Sequence, residues 1–172
     1  MLKKAIFWDR DGVINKVIFR NGKPSSPWLF DEFEILPEAP EGLKWAREKG
    51  FLNIVFSNQP DIKRGFLKIE ELEKMHEKIM HELPVHFIKL CSHDDADNCQ
   101  CRKPSPGMIL EAAKELMIDL ENSYVVGDSR KDIEAGNKAG CKTVLLSREY
   151  NKDVKNYKFI IHNIKELYEN IH

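Results

Sequence analysis

The stretch KAIFWDRDGVIN, Lys4–Asn15, is a strand-length apolar run that stops at two acids, Asp9 and Asp11, just ahead of Gly12. Runs of the same kind recur at FLNIVFSN, VHFIKLC, NSYVVGD and CKTVLLS, with segments of helical periodicity between them. That alternation predicts a parallel sheet with crossover helices, an α/β fold. A last short strand, FIIH, leads into a helix opened by Asn163, with Glu166 at capping-box spacing. Elsewhere EAPEGLKWAREKG ends at Gly50, which suits a left-handed cap, and Ile69, Leu72, Met75, Ile79 and Leu83 share one apolar helix face. Ser105 ahead of Pro106 reads as an N-cap followed by proline at the first helical position.

The strands end on chemically useful residues: Asp9 closes the first, Ser57 the second, Cys91 the third and Asp128 the fourth. Open parallel sheets bind ligands outside the carboxyl ends of their strands, so these residues are expected at one edge. Any one acid there could be only a helix cap or a turn former. Four strand ends together point to a site.

With 172 residues, 42% of them hydrophobic, the chain can bury one substantial core, and residues 1–172 are expected to form a single domain. One segment, at about 16–36, breaks the rhythm: Asn21-Gly22 is a two-residue hairpin signal, and prolines and aromatics follow it. It reads as a flap, in which Trp28, Phe30 and Phe33 either pack on the edge of the core or wall the site. The net charge of -1 and the scattered Lys and Arg give no footprint for nucleic acid or an anionic membrane, whereas a small anionic metabolite could bind locally. No apolar run approaches the roughly 18 residues of a membrane span, and MLKKAIFWD lacks the features of a signal peptide, so a cytoplasmic protein is expected.

In a reducing compartment the four cysteines are a poor disulfide framework. Cys141 stands apart and reads as a small buried core residue. Cys91-x-His93, five residues, then Cys99-x-Cys101 supply the four ligands of a tetrahedral Zn²⁺ site, with redox thiols or an iron–sulfur cluster as alternatives. A closed four-ligand site leaves no open position for water, so zinc would organise the loop 91–101 instead of performing hydrolysis. Arg102 and Lys103 directly follow the last ligand, so the metal would pin the backbone that delivers both cations.

DRDGVIN (Asp9–Asn15), SNQ (Ser57–Gln59), RKP (Arg102–Pro104) and GDSRKD (Gly127–Asp132) together resemble the four ordered motifs of the haloacid dehalogenase-like phosphatases. The resemblance implies a Rossmannoid three-layer sandwich around a central parallel sheet. The intervals from Asp11 to Ser57 and from Ser57 to Lys103 leave no room for a separate cap domain, so the site should be open. By the same resemblance Asp9 is the nucleophile on a phosphate. Asp9, Asp128 and the backbone carbonyl of Asp11 would hold Mg²⁺, while Ser57 and Lys103 would contact the phosphoryl oxygens. Asp11 would protonate the leaving alkoxide and later activate water, for which a raised pKa is inferred in the closed, phosphate-bound site. Asp132 would orient its neighbours or be only a first-turn helix acid. Gly12 allows a tight backbone approach.

The zinc pattern is similar to the branch that contains heptose 1,7-bisphosphate phosphatases and histidinol-phosphatases. CRKPSPGMI and NQPDIKRG favour the former, and the short gap between His93 and Cys99 the latter. The substrate implied is a small phosphorylated metabolite, a sugar bisphosphate, acted on by a monomer. Asn58, Gln59, Arg102 and, by position, Arg64 would contact it. Phosphatases of polynucleotide ends and a non-catalytic binder of phosphometabolites are the other readings weighed.

Overall fold

The computed structural model describes Leu2–Ile171. Six strands form one parallel sheet: β1 (Ala5–Trp8), β4 (Leu52–Asn58), β5 (Phe87–Cys91), β6 (Tyr124–Gly127), β7 (Lys142–Leu146) and β8 (Phe159–Ile161). The order β5-β4-β1-β6-β7-β8 places β1 centrally. The chain builds outward from β1 to β5 and then returns to add β6 on the other side of β1. This is the doubly wound order, and its direction reverses where β1 and β6 lie side by side. The β1–β4 register pairs Ala5 with Leu52 and Trp8 with Val55; β6 joins with Ile6 opposite Tyr124.

The strands are apolar on both faces because helices cover both. Ile6 and Trp8 look toward α1 (Ala39–Glu48) and α2 (Ile69–Glu82), where they join Leu43, Leu72, Met75 and Ile79 in the larger core. Ala5 and Phe7 look the other way, toward α3 (Gly107–Leu116) and α4 (Arg130–Ala139), and meet Met108, Ile109, Ala112 and Ala135. The Trp8 indole keeps a partner in the dry interior, donating to Asn53 Oδ1 on β4 at 3.0 Å. Among the described residues no helix is long and apolar enough to cross a membrane.

Helix boundaries follow local chemistry with three departures from expectation. Gly50 does take a left-handed φ of 83° after α1. On α2, however, Ile69 is 44% exposed because it starts the helix, and the buried face begins only at Leu72. Helix α3 begins at Gly107, with Pro106 at the capping position and no side-chain cap, so Ser105 does not cap it. At the C-terminal end, Asn163 caps a short 3₁₀ turn, Ile164–Glu166, that runs into α5 (Leu167–Asn170). Glu166 accepts from the His162 N–H, one residue outside the expected box.

The expected hairpin is present as β2 (Ile18–Arg20) paired antiparallel with β3 (Lys23–Ser25), and both Asn21 and Gly22 have positive φ. Beyond it, Phe33 is buried in the larger core, and Trp28 and Phe30 pack on its edge, so none of the three walls the site.

Candidate active site

Asp9 follows β1, Ser57 and Asn58 end β4, and Asp128 follows β6, so parallel pairing carries all of them to one edge of the sheet. A cavity of about 580 Å³ opens there. Lys103 reaches it from the loop after β5. Its Nζ donates to Asp9 Oδ1 at 2.6 Å, Asp132 Oδ1 at 2.7 Å and the Phe56 carbonyl at 3.1 Å. Burial alone would drive the ammonium toward neutrality, but Asp132 and Asp9 outweigh it and hold Lys103 above the ordinary lysine range. Asn58 pins the lysine backbone through paired bonds to its N–H and carbonyl, each 3.0 Å.

Three buried carboxylates face this one lysine. Asp132 is saturated, since one oxygen accepts from Lys103 and the other from the Ser129 N–H and hydroxyl at the start of α4. Asp132 therefore both caps the helix and orients Lys103. Asp9 spends one oxygen on Lys103, and Asp128 spends one on the Tyr150 hydroxyl, which leaves an oxygen of each without a donor among the described residues. Burial, then the Asp132 charge, raises the pKa of Asp9 well above the usual range, and Lys103 only partly offsets this. The same two causes lift Asp128 to about 7. Such an excess of negative charge, with carboxylate oxygens of Asp9, Asp128 and Asp132 within 4.8 Å of one another, fits a divalent cation with oxygen preference such as Mg²⁺.

Asp11 has a different environment. Arg10, fully buried, donates to it at 2.9 Å and 3.2 Å, Asn15 at 2.9 Å, Gln59 at 2.7 Å and Ser26 at 2.9 Å. Burial pushes its pKa up, but the Arg10 charge and the hydrogen bonds of Asn15, Arg10 and Ser26 win and hold the carboxyl below its ordinary value. The raised value inferred from sequence is thus not a property of the open site. Gly12, at φ 91°, is required by contact: a Cβ there would lie 1.9 Å from Asp128 Oδ2.

Not all of the expected substrate contacts reach the cavity. Gln59 is fully buried beneath it, holding Asp11 and the Ser57 hydroxyl, at 2.8 Å. Asn58 borders the cavity but its amide is committed to Lys103. Arg64 and Arg102 do line the cavity, each paired with an acid of the loop 91–101: Arg64 with Asp94 at 2.6 Å, Arg102 with Asp95 at 2.7 Å. In that loop the Cys91, His93, Cys99 and Cys101 ligand atoms gather within 4.8 Å, and Cys101 lies 3.0 Å from Cys91. Burial works against ionisation of Cys99, yet hydrogen bonds from Cys101 and the Arg102 N–H bring it down to about 7. Three thiols and an imidazole so close suit a soft, tetrahedral ion such as Zn²⁺. Cys141 is buried, as expected, and burial lifts its thiol to about 12.

Sequence reasoning missed Arg10, Ser26, Tyr150 and Asn151. Asn151 Nδ2 donates to the Asp128 carbonyl at 2.7 Å and fixes that turn. Arg10 stands inside the DRD motif, where a buried Arg between two acids is a readable signal; Ser26, Tyr150 and Asn151 lie in segments without motif spacing.

A HAD-hydrolase-like family model matches residues 100–167. The chain is 38% identical over 149 residues to the D-glycero-beta-D-manno-heptose-1,7-bisphosphate 7-phosphatase of Helicobacter pylori, covering 83% of each chain. It is 32% identical to the D-glycero-alpha-D-manno-heptose-1,7-bisphosphate 7-phosphatase of Campylobacter jejuni, with 96% of this chain and 98% of the relative covered. The crystal structure of D,D-heptose 1,7-bisphosphate phosphatase from B. bronchiseptica, complexed with magnesium and phosphate, superposes with a TM-score of 0.84 at 26% identity, covering 97% of each chain.

Proposed function

The chain belongs to the haloacid dehalogenase-like hydrolases, among the heptose-1,7-bisphosphate 7-phosphatases, and from that premise we propose that it removes the 7-phosphate of a D-glycero-D-manno-heptose 1,7-bisphosphate. The observation that carries this reading is the grouping of Asp9, Asp128, Asp132 and Lys103 at the sheet edge, with Asp11 beside them.

Asp9 attacks phosphorus and forms an aspartyl-phosphate, while Lys103 neutralises the phosphoryl oxygens and Ser57 donates to them. Mg²⁺, held by Asp9, Asp128 and the Asp11 carbonyl, would supply the charge neutralisation that lets an anion approach a carboxylate. Asp11 starts ionised and takes up a proton from solvent as the phosphate dianion enters beside it. It then gives that proton to the sugar alkoxide and afterwards accepts one from the attacking water. Asp132 keeps Lys103 charged and aimed throughout. Zinc on the four-ligand loop would hold Arg102 and Lys103 in register.

Two features favour a bisphosphate over histidinol phosphate. Arg64 and Arg102 border the same cavity as Asp9, placed for a second anion. Asp94, Asp95 and Asp97, the acids otherwise available to a cationic amine, are paired with Arg64, Arg102 and Lys63. The test compares kcat/KM for the alpha and beta heptose 1,7-bisphosphates and for histidinol phosphate, in wild type and Arg102→Ala. A heptose bisphosphate should be preferred, and Arg102→Ala should reduce that preference about ten- to a hundredfold. Superior turnover of histidinol phosphate, or equal losses on both substrates, would contradict the reading.

A further inference from the structure

We propose that Ser26, at the end of the hairpin, is a positioning residue for Asp11 and marks the place on that carboxylate where the leaving-group oxygen enters. This rests on the phosphatase reading above. Among the described residues four side chains donate to Asp11, and three of them, Arg10, Asn15 and Gln59, are fully buried and approach from within the protein. Ser26 is the one that also lines the cavity, and it binds Oδ2 at 2.9 Å. A substrate oxygen arriving from the cavity therefore meets Asp11 at the side Ser26 occupies. The chemistry of the four donors differs in the way this requires. A guanidinium nitrogen or an amide –NH₂ only donates, whereas a hydroxyl donates and accepts, so Ser26 can hold Oδ2 in the free site and turn to the incoming oxygen or to a neighbouring sugar hydroxyl.

The hairpin is strapped in place for this. Arg20 donates to the Ser26 carbonyl at 2.7 Å and to Glu32 at 2.7 Å, and its guanidinium lies 3.9 Å from the Trp28 ring centre. Trp28 in turn stacks on Phe66 with ring centres 4.8 Å apart and donates its indole N–H to Asp61 at 2.8 Å, both residues of the loop after β4. The guanidinium and the phenyl ring packed against the indole, with its hydrogen bond to Asp61, tie the flap to the loop after β4.

The experiment measures kcat and KM of wild type, Ser26→Ala and Ser26→Thr on a heptose 1,7-bisphosphate and on p-nitrophenyl phosphate, whose leaving group needs no protonation. Ser26→Ala should lower kcat on the sugar about tenfold with KM unchanged, lower the aryl rate clearly less because only the shared water-activation step then draws on Asp11, and Ser26→Thr should recover the sugar rate. Trp28→Ala, which releases the strap, should show the same selective loss. An unchanged sugar rate, a loss confined to KM, or equal losses on both substrates would overturn the role of Ser26 while leaving the phosphatase reading intact. A wild-type chain inactive on both substrates would overturn the phosphatase reading and Ser26 with it.

Discussion

Asp9 and Asp11 sit two positions apart and have opposite electrostatics. Asp9 lies among Asp132 and Asp128 with one lysine to balance them, and its ionised form is disfavoured; Asp11 is surrounded by donors and its ionised form is favoured. A carboxyl raised by folding is one whose charge opposes folding at neutral pH, so replacing it with a neutral isostere removes repulsion. Asp9→Asn should therefore lose turnover by at least about a thousandfold, while the metal-free variant melts no lower than wild type. Phosphate release and a thermal scan check the two halves, and a marked drop in melting temperature would show that the Lys103 pair matters more to stability than the repulsion. Asp11→Asn should have a contrasting signature: a kcat loss on both substrates, since activation of water is common to them, but a larger one on the sugar, whose leaving group also needs a proton.

At the scale of elements, the loop 91–101 does two jobs. Its cysteines and histidine gather behind the site, and its acids hold Arg64, Arg102 and Lys63. A metal there ties the strand end of β5 to the backbone of Arg102 and Lys103, so its removal should be felt as stability first and rate second. Protein purified without added metal is expected to contain about one zinc per chain by elemental analysis. Cys99→Ser should cost about 2 kcal/mol, a fall of roughly 4–8 °C in Tm, and lower kcat through a looser Lys103. Free, readily titrated thiols in the purified protein, or an unchanged Tm, would speak against the zinc site.

For the molecule as a whole, His76 and Asp128 illustrate how pH acts through linkages of opposite sign. His76 on α2 faces Arg10, with Nε2 3.5 Å from Nη1, and burial, then the Arg10 charge, lower its pKa to about 4. Its contribution is fully present above the ordinary histidine value near 6.5 and is lost as pH falls toward about 4, because the unfolded chain binds the proton first. Asp128, raised to about 7, works the other way and favours the fold as pH falls from neutral. Comparing wild type with His76→Gln cancels the Asp128 contribution. Between pH 7 and 4, denaturant melts should show wild type losing up to about 3 kcal/mol more than the variant. Parallel curves would mean that His76 is protonated at little cost in the fold.

The strand-helix alternation, the hairpin turn, the clustering of Cys91, His93, Cys99 and Cys101 in the loop and the acids at strand ends were all legible in the sequence. Each is a local property: a period, a φ requirement at Asn21-Gly22, or a ligand spacing within eleven positions. The convergence of Asp9, Ser57 and Asp128 was legible too, because parallel strands carry their carboxyl ends to one edge. Tertiary structure decided which partner each polar atom meets. Gln59 reads as a substrate contact by motif, but it is buried under Asp11, because the β4 end turns it inward to bond Ser57 and Asp11. Ser26 and Tyr150 carry no spacing signal, and only the packing of the hairpin and of the segment after β7 brings them to Asp11 and Asp128. The charge state of Asp11 belongs to the same class. A carboxyl's pKa is set by the donors and charges within a few ångströms, and Arg10, Asn15, Ser26 and Gln59 come together around it only when the chain has folded.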